Sequence, residues 1–249
     1  MITDRLQPGE RLDELSPYGL SILQRPKEFC FGTDAVLLAH FARAKASQRV
    51  LDLGTGTGIL PLLMTALFAP RHIVGVEIQP PMAQMAERSV RYNQLQEKIE
   101  ILAGDYTQRE TLSSLGQFDV VVCNPPYGKL GHGAHSENVP QALARFEICA
   151  QFPEICQAAR QALVSMGRFY CIHQASRLPE LLAALHDSTL TPKRLRFVYG
   201  SPHKTAGLVL IESIKGGRPN VKIEPPLFLT GKNGQASPAL EAVYQGGLL

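Results

Sequence analysis

The sequence predicts an α/β protein whose seven-stranded, mostly parallel sheet carries helices on both faces. Short apolar runs alternate with segments of helical spacing through the middle of the chain. Near the end, two apolar runs are separated by a link too short to hold a crossover helix. Alternating strands and helices are typical of parallel sheets, whereas a short link permits an antiparallel pair. We therefore expect one antiparallel strand.

The first elements precede the sheet. Residues 18–31 resemble a hairpin, and 33–45 have the composition of a helix whose N-cap is Thr33 or Asp34. We expect residues 1–32 to form an N-terminal extension and 33–249 to form one compact domain.

Periodicity and breaker residues define the sheet and its connections. The predicted strands are 49–54, 73–77, 98–103, 118–123, 167–173, 195–199 and 207–213. The main predicted helices are 58–69, 80–95, 141–166 and 176–186. Pro80 and Pro81 suit the first turn of their helix, because the first helical N–H groups have no intrahelical partner.

Composition excludes several classes of protein. With 249 residues, 45% of them hydrophobic and 19% charged, the chain is neither disordered nor fibrous. The longest apolar stretch, 59–69, is shorter than the ~20 residues that span a bilayer, and the first residues lack a signal peptide's pattern. We expect a cytoplasmic protein with no membrane association. The five cysteines form no C-x-x-C pair, so we expect no metal site.

A glycine-rich loop follows the first strand of the predicted sheet. Asp52 precedes Gly54, Gly56 and Gly58, a spacing that permits a tight turn and close approach to a ligand. The loop lacks the third glycine of a dinucleotide fingerprint and the G-K-[ST] ending of a phosphate loop. Glu77, at the end of the next strand, can accept hydrogen bonds from ribose. A ligand with ribose but no phosphate fits best; the alternative is a plain glycine turn beside a solvent-exposed acid.

A second motif, Asn124-Pro125-Pro126-Tyr127, follows the fourth strand. Proline nitrogens cannot donate hydrogen bonds, so this segment offers the Asn124 amide oxygen and a nearby main-chain carbonyl as acceptors. Two acceptors beside an aromatic ring suit a planar NH₂ group that stacks on Tyr127. The alternative is a Pro-Pro turn that ends the strand.

Together the two motifs resemble the S-adenosylmethionine-dependent amino-methyltransferases, a Rossmann-like class I fold. The resemblance implies that the glycine loop holds the methionine part of the cofactor, that Glu77 binds its ribose and that Asp105 lies near its adenine. It implies catalytic roles for Asn124, Pro125, Pro126 and Tyr127. The cofactor-binding residues expected from the motifs and the resemblance are Phe31, Thr33, Asp34, Asp52, Gly54, Thr55, Gly56, Gly58, Glu77, Ile78, Asp105, Tyr106 and Asn124.

Further segments are similar to one family, the bacterial tRNA(Val) adenine-N6 methyltransferases, which act beside the anticodon. These segments are 31–39, 75–79, 192–198 and 224–227. Phe146 departs from the family pattern, in which we expect histidine. The resemblance implies S-adenosylmethionine as cofactor, tRNA as partner and N6-methylation of an extruded adenosine.

Positive charge is concentrated late in the chain. Between 192 and 222, Glu212 is the single acid among the basic residues Lys193, Arg194, Arg196, Lys204, Lys215, Arg218 and Lys222. We expect Lys193, Arg194, Arg196 and Lys204 to bind RNA, together with Tyr127 and Lys129. The alternative is a solvated strand edge protected by charge. The catalytic motif also permits methylation of rRNA, of DNA or of a release-factor glutamine, and a non-catalytic module that binds the cofactor or RNA is a further alternative.

Overall fold

The computed structural model describes residues 6–26, 30–126, 151–231 and 234–249. The strands are β1 Arg11–Leu15, β2 Leu20–Gln24, β3 Arg49–Leu53, β4 His72–Glu77, β5 Ile99–Ala103, β6 Phe118–Cys123, β7 Leu163–Gln174, β8 Leu190–Tyr199, β9 Ala206–Lys215, β10 Lys222–Ile223 and β11 Leu227–Phe228. The helices are α1 Thr33–Phe41, α2 Ile59–Phe68, α3 Pro80–Tyr92, α4 Arg109–Ser114, α5 Phe152–Ala162, α6 Leu178–Asp187 and α7 Pro238–Tyr244. A 3₁₀ turn, Ala175–Arg177, follows β7.

The large sheet has the strand order β10-β8-β9-β7-β6-β3-β4-β5, and β11 also pairs with β8. Strands β5, β4, β3, β6 and β7 are parallel, whereas β9 is antiparallel to both β7 and β8. The prediction of seven principal strands with one antiparallel member is confirmed. The strands β10 and β11, of two residues each, were not predicted.

Helices cover both faces of this sheet, as predicted. One buried cluster joins α1, α2 and Val90 of α3 to alternate residues of the central strands, including Val50 and Val120. The other joins α5, α6 and Leu112 of α4 to the intervening residues, including Leu51 and Val121. Successive strand residues point to opposite faces, so a strand buried on both sides is apolar throughout. The central strands therefore consist of continuous apolar runs.

The N-terminal hairpin exists, but it lies earlier in the chain than predicted. β1 and β2 pair antiparallel, with Leu15 opposite Leu20. The hairpin docks on α3, where the Leu23 N–H donates to Ser89 Oγ at 3.0 Å and the Ser21 N–H donates to Asn93 Oδ1 at 2.8 Å. These contacts fix the hairpin beside the helix that follows β4.

Helix α1 begins at Thr33, but neither Thr33 nor Asp34 is its N-cap. That position is Gly32, and the Asp34 carboxylate accepts from the Ala35 N–H at 2.9 Å. The helix ends at Phe41 rather than at the predicted residue 45. One nitrogen of the Arg43 guanidinium donates to the carbonyls of His40, Phe41 and Ala42, and so satisfies the last turn from outside the helix.

The predicted helix 141–166 is wrong at its end, and its residues before 151 lie outside the described part of the chain. Helix α5 stops at Ala162, and Leu163 already pairs with Phe118 of β6. Sheet pairing thus overrides the helical spacing of the segment. Strand β8 begins at Leu190, earlier than predicted, because Pro192 is accommodated where the register with β9 shifts.

Within the described ranges, no helix combines the length and apolar character that a membrane crossing requires.

Candidate active site

The candidate site lies at the carboxyl ends of four adjacent parallel strands. Asp52 of β3 pairs with Val122 of β6, and Glu77 of β4 pairs with Ala103 of β5. The residues that follow these strands therefore leave the sheet at one edge, where open α/β sheets bind ligands. This register brings together the glycine loop, Glu77, the segment around Asp105 and Asn124, which the sequence had predicted as parts of one site.

Asp52 is a buried acid with no hydrogen-bond partner among the described residues. Its side chain is 1% exposed, and neither carboxylate oxygen has a hydrogen-bond partner within the described residues. Burial raises the pKa of the Asp52 carboxyl to about 7, and the charge of Glu77 raises it further. The nearby Thr55 hydroxyl lowers this pKa, although it is not in hydrogen-bonding geometry. Unsatisfied buried polar groups are rare and costly, so Asp52 is suited to receive a cationic or donor group of a ligand.

Glu77 is buried and fixed by two main-chain hydrogen bonds. The Gly56 N–H donates to one carboxylate oxygen and the Gln79 N–H to the other, both at 2.9 Å. Each oxygen retains a lone pair that can accept from a ligand hydroxyl. The glycine loop itself is tied to β4, because the Gly54 and Thr55 N–H groups both donate to the Val76 carbonyl.

The glycines of the loop are required by its backbone. Gly54, Gly56 and Gly58 have φ angles of +74°, +57° and +86°, a region that side chains with a Cβ rarely adopt. At Gly58 an added Cβ would also lie 3.2 Å from the Cβ of Ala86. Gly75 of β4 has the same steric role without a positive φ, since a Cβ there would lie 2.8 Å from the Thr55 hydroxyl.

The segment after β5 forms the neighbouring wall. Asp105 is half-buried, and although burial alone would raise its pKa, hydrogen bonds from the Thr107 hydroxyl and N–H and from Gln108 lower it. Asp105 is therefore an ionised acceptor at neutral pH. Tyr106 Cε1 lies 3.8 Å from the position that a Cβ of Gly54 would occupy, so this ring stands beside the glycine loop. Ile78, half-buried, follows Glu77 directly.

The start of the Asn-Pro-Pro-Tyr motif lies next to the glycine loop. Since Val122 pairs with Asp52, Asn124 follows β6 at the same end of the sheet at which Gly54 follows β3. Asn124 is half-buried, Pro125 buried and Pro126 exposed. Tyr127, Lys129 and Phe146 lie outside the described residues.

The predicted cofactor residues at the start of α1 are not hydrogen-bonded to the glycine loop. The Phe31 N–H donates to Gln24 Oε1 at 2.9 Å, and the Thr33 hydroxyl is 3.4 Å from the Tyr244 hydroxyl. Asp34 accepts from its own helix, as described above. Their contact with a cofactor stays a prediction.

Two further polar residues at this edge were not singled out from the sequence. The Thr57 hydroxyl is buried without a partner among the described residues, a property that residue type alone does not reveal. His173, near the end of β7 beside β6, is buried edge-to-face on Phe152, with ring centroids 5.7 Å apart. Burial, aided by Arg177, lowers the pKa of His173 to about 4. Its Nδ1 accepts from the Gln174 N–H, so the neutral ring carries its hydrogen on Nε2.

The four described residues predicted to bind RNA differ in their surroundings. Arg194 donates to Glu212 at 2.8 Å and to the Phe41 carbonyl at 2.6 Å, and the Lys193 ammonium donates to the Arg218 carbonyl at 3.0 Å. Arg196 is half-buried, and burial lowers its pKa. Lys204 is exposed.

Comparison with known proteins identifies the class. The fold resembles that of a predicted O-methyltransferase, protein Atu636 from Agrobacterium tumefaciens, with a TM-score of 0.71 and 23% identity over 87% of this chain and 98% of that one. It also resembles geranyl diphosphate C-methyltransferase from Streptomyces coelicolor, solved with Mg²⁺, geranyl diphosphate and S-adenosyl-L-homocysteine, with a TM-score of 0.52 and 14% identity over 74% and 76% of the two chains. The fold is that of the methyltransferases.

The family follows from sequence. The model described as "Methyltransferase small domain" matches residues 27–189. The tRNA1(Val) (adenine(37)-N6)-methyltransferase of Porphyromonas gingivalis strain W83 is 31% identical over 187 residues, 73% of this chain and 72% of the relative. The protein of the same name from Shewanella frigidimarina is 29% identical over 85% of this chain and 81% of its own. The chain belongs to the methyltransferase small domain family, in the group of the tRNA1(Val) (adenine(37)-N6)-methyltransferases.

Proposed function

We propose that this protein transfers a methyl group from S-adenosylmethionine to the N6 nitrogen of an adenosine in tRNA, next to the anticodon of tRNA(Val). The observation that supports the proposal is the shared register of β3, β4 and β6. Asp52, whose carboxylate has no partner among the described residues, lies at the same edge of the sheet as Glu77 and Asn124. The names of the curated relatives indicate the substrate.

The described residues fit this cofactor. Its methionine part carries an ammonium and a sulfonium cation, and both oxygens of the Asp52 carboxylate lack a partner among the described residues. Its ribose hydroxyls can donate to the free lone pairs of Glu77, and Asp105 with Tyr106 forms the wall on the adenine side. When bound, S-adenosylmethionine supplies an electrophilic methyl group on sulfur.

Asn124 and the main-chain carbonyl beside it would orient the substrate amine. The N6 lone pair of adenine is delocalised into the ring, so accepting both amine hydrogens favours a nitrogen whose lone pair faces the methyl carbon. After the transfer, the methylated nitrogen would lose one proton to solvent water. Tyr127 would stack on the base once it has left the anticodon loop, where unstacking costs less than in a duplex.

Methyl transfer to total tRNA tests the proposal. Purified protein is incubated with methyl-labelled S-adenosylmethionine and with tRNA from cells that lack this protein. The tRNA is then digested, and the nucleosides are separated and identified by mass spectrometry. We expect label in N6-methyladenosine. A parallel reaction contains a translation release factor, because a glutamine amide presents the same planar NH₂ group to Asn124. Label in the release factor, or in neither substrate, would contradict the proposed substrate.

A further inference from the structure

The loop 200–205 stands at the same edge of the sheet as the candidate active site. β7 is parallel to β6, β9 is antiparallel to β7, and β8 is antiparallel to β9. β8 therefore points in the same direction as β3 and β6, and its last residue, Tyr199, leads out at their carboxyl ends. The pairings of Cys123 with Cys171, Cys171 with Ile211 and Ile211 with Leu195 make Arg196 the residue of β8 level with Asn124. Tyr199, at the start of the loop, therefore lies three strand spacings, about 14 Å, to the side of Asn124 and three residues, roughly 10 Å, beyond it. A few nucleotides of single-stranded RNA span that distance.

The loop presents polar side chains from a fixed base. His203, Lys204 and Thr205 are exposed. The Lys204 N–H closes a turn onto the Ser201 carbonyl at 3.1 Å. The Gly200 carbonyl accepts from both the N–H and the hydroxyl of Thr230, at 3.0 and 2.8 Å. A cation held on a pre-ordered loop loses less conformational entropy when it binds a phosphate.

The other basic residues of β8 are placed differently. Lys193 lies six residues before Tyr199, about 20 Å back along the strand. Its ammonium and the Arg194 guanidinium are bonded to the protein, as described above. Arg194 also stacks on Phe41, with its guanidinium carbon 3.9 Å from the ring centroid. These charges belong to contacts within the fold.

We infer that the substrate RNA crosses the carboxyl ends of β6, β7 and β8, with a phosphate a few nucleotides from the target bound by Lys204 in the loop 200–205. Arg194, in contrast, stabilises the domain through Glu212 and the Phe41 carbonyl. The inference rests on the proposed function, since it extends the RNA surface from the site around Asn124.

Two matched substitutions test this surface. Lys204→Gln removes one positive charge at the edge of the sheet that carries the candidate site. Lys222→Gln removes one positive charge away from that edge: Lys222 of β10 pairs with Arg194 of β8, and its side chain is 73% exposed. The dissociation constant for unmodified tRNA is measured across a salt series for both variants and for the unsubstituted protein. We expect Lys204→Gln to raise Kd roughly five-fold and to lower the salt slope by about one, with Lys222→Gln unchanged. Lys204→Glu should weaken binding further.

Equal weakening in both variants, or no change in Lys204→Gln, would overturn the inference. Because binding is measured without turnover, its failure is distinct from that of the proposed function. A protein that binds tRNA through Lys204 but transfers no methyl group to it would contradict the function alone. A protein that methylates tRNA, and whose Kd for tRNA is unchanged by Lys204→Gln, would contradict only the inferred RNA-binding surface.

Discussion

At the scale of single residues, we propose that Asn124 serves catalysis more than cofactor binding. It follows β6, while the acids suited to the cofactor, Asp52 and Glu77, belong to β3 and β4. Its amide is therefore placed to serve mainly the substrate amine.

We predict that Asn124→Ala lowers kcat for methyl transfer by at least about 100-fold, because an acceptor aimed at the reacting nitrogen is lost. Affinity for S-adenosylmethionine, measured by calorimetry, should stay within about two-fold of the original. Loss of cofactor binding in this variant would contradict the role assigned to Asn124.

We expect Asp52 to make cofactor binding dependent on pH. Its pKa is raised to about 7, so the carboxyl is mainly protonated below that value and ionised above it. Only the ionised form attracts a cationic ligand. For this acid, the folded state binds more protons than the unfolded state between the two pKa values, so its contribution to the free energy of unfolding falls as pH rises toward 7.

We predict that the Kd for S-adenosylmethionine increases as pH falls from 7 to 5.5, by up to about ten-fold per pH unit. Calorimetry in buffers of different ionisation enthalpy should show proton release on binding. Asp52→Asn is the control: it should bind weakly and without this pH dependence. A flat pH profile for the unsubstituted protein would contradict the role of Asp52.

How far the sequence predicts the site is visible at these residues. Motif spacing predicted Asp52, Glu77 and Asn124, and the strand register brings them to one edge. The protonation of Asp52 and the burial of His173 and Thr57 could not be predicted, because they depend on residues distant in sequence. Burial raises the pKa of the Cys123 thiol, for example, and the charge of Asp52 on the neighbouring strand adds to this.

At the scale of elements, the local sequence pattern predicts the buried strands better than it predicts where the helices end. The buried strands were found because each is a continuous apolar run. The ends of α1 and α5 were not, since the first depends on the Arg43 side chain and the second on pairing between Leu163 and Phe118. The hairpin was misplaced because its position depends on docking to α3.

We predict that Asn93→Ala loosens this docking. The Asn93 amide accepts from the Ser21 N–H and donates to the Ser21 carbonyl at 2.6 Å, and both backbone groups would lose this partner. The free energy of unfolding should fall by about 1–3 kcal/mol, measured by urea denaturation. Hydrogen exchange of β2 should accelerate more than that of β6. The exposed neighbour Gln96→Ala is the matched control, and equal effects of the two substitutions would contradict the docking.

At the scale of the whole molecule, a buried charge network links distant parts of the chain. The Glu212 carboxylate accepts from both Arg168 and Arg194, and Arg194 also reaches the end of α1. The sequence showed a basic cluster there but could not show which charges the fold uses. Arg194 is 14% exposed at its side chain, so its partners are shielded from solvent.

We predict that Arg194→Gln destabilises the protein by about 3 kcal/mol, because Glu212 loses one partner of a mostly buried pair. Thermal unfolding should show a Tm lower by roughly 6–12 °C. Lys193→Gln, one residue earlier, should change stability by less than about 0.5 kcal/mol. If Arg194→Gln left Tm unchanged while weakening tRNA binding, Arg194 would be an RNA contact rather than part of the network.

The most direct test of the proposed function uses two tRNA(Val) transcripts, one with adenosine and one with guanosine at position 37. Both are incubated with labelled S-adenosylmethionine and the protein, and the digested nucleosides are analysed. We predict N6-methyladenosine from the first transcript and no label in the second. Equal labelling of both transcripts, or label in neither, would contradict the assignment of the methylated adenosine.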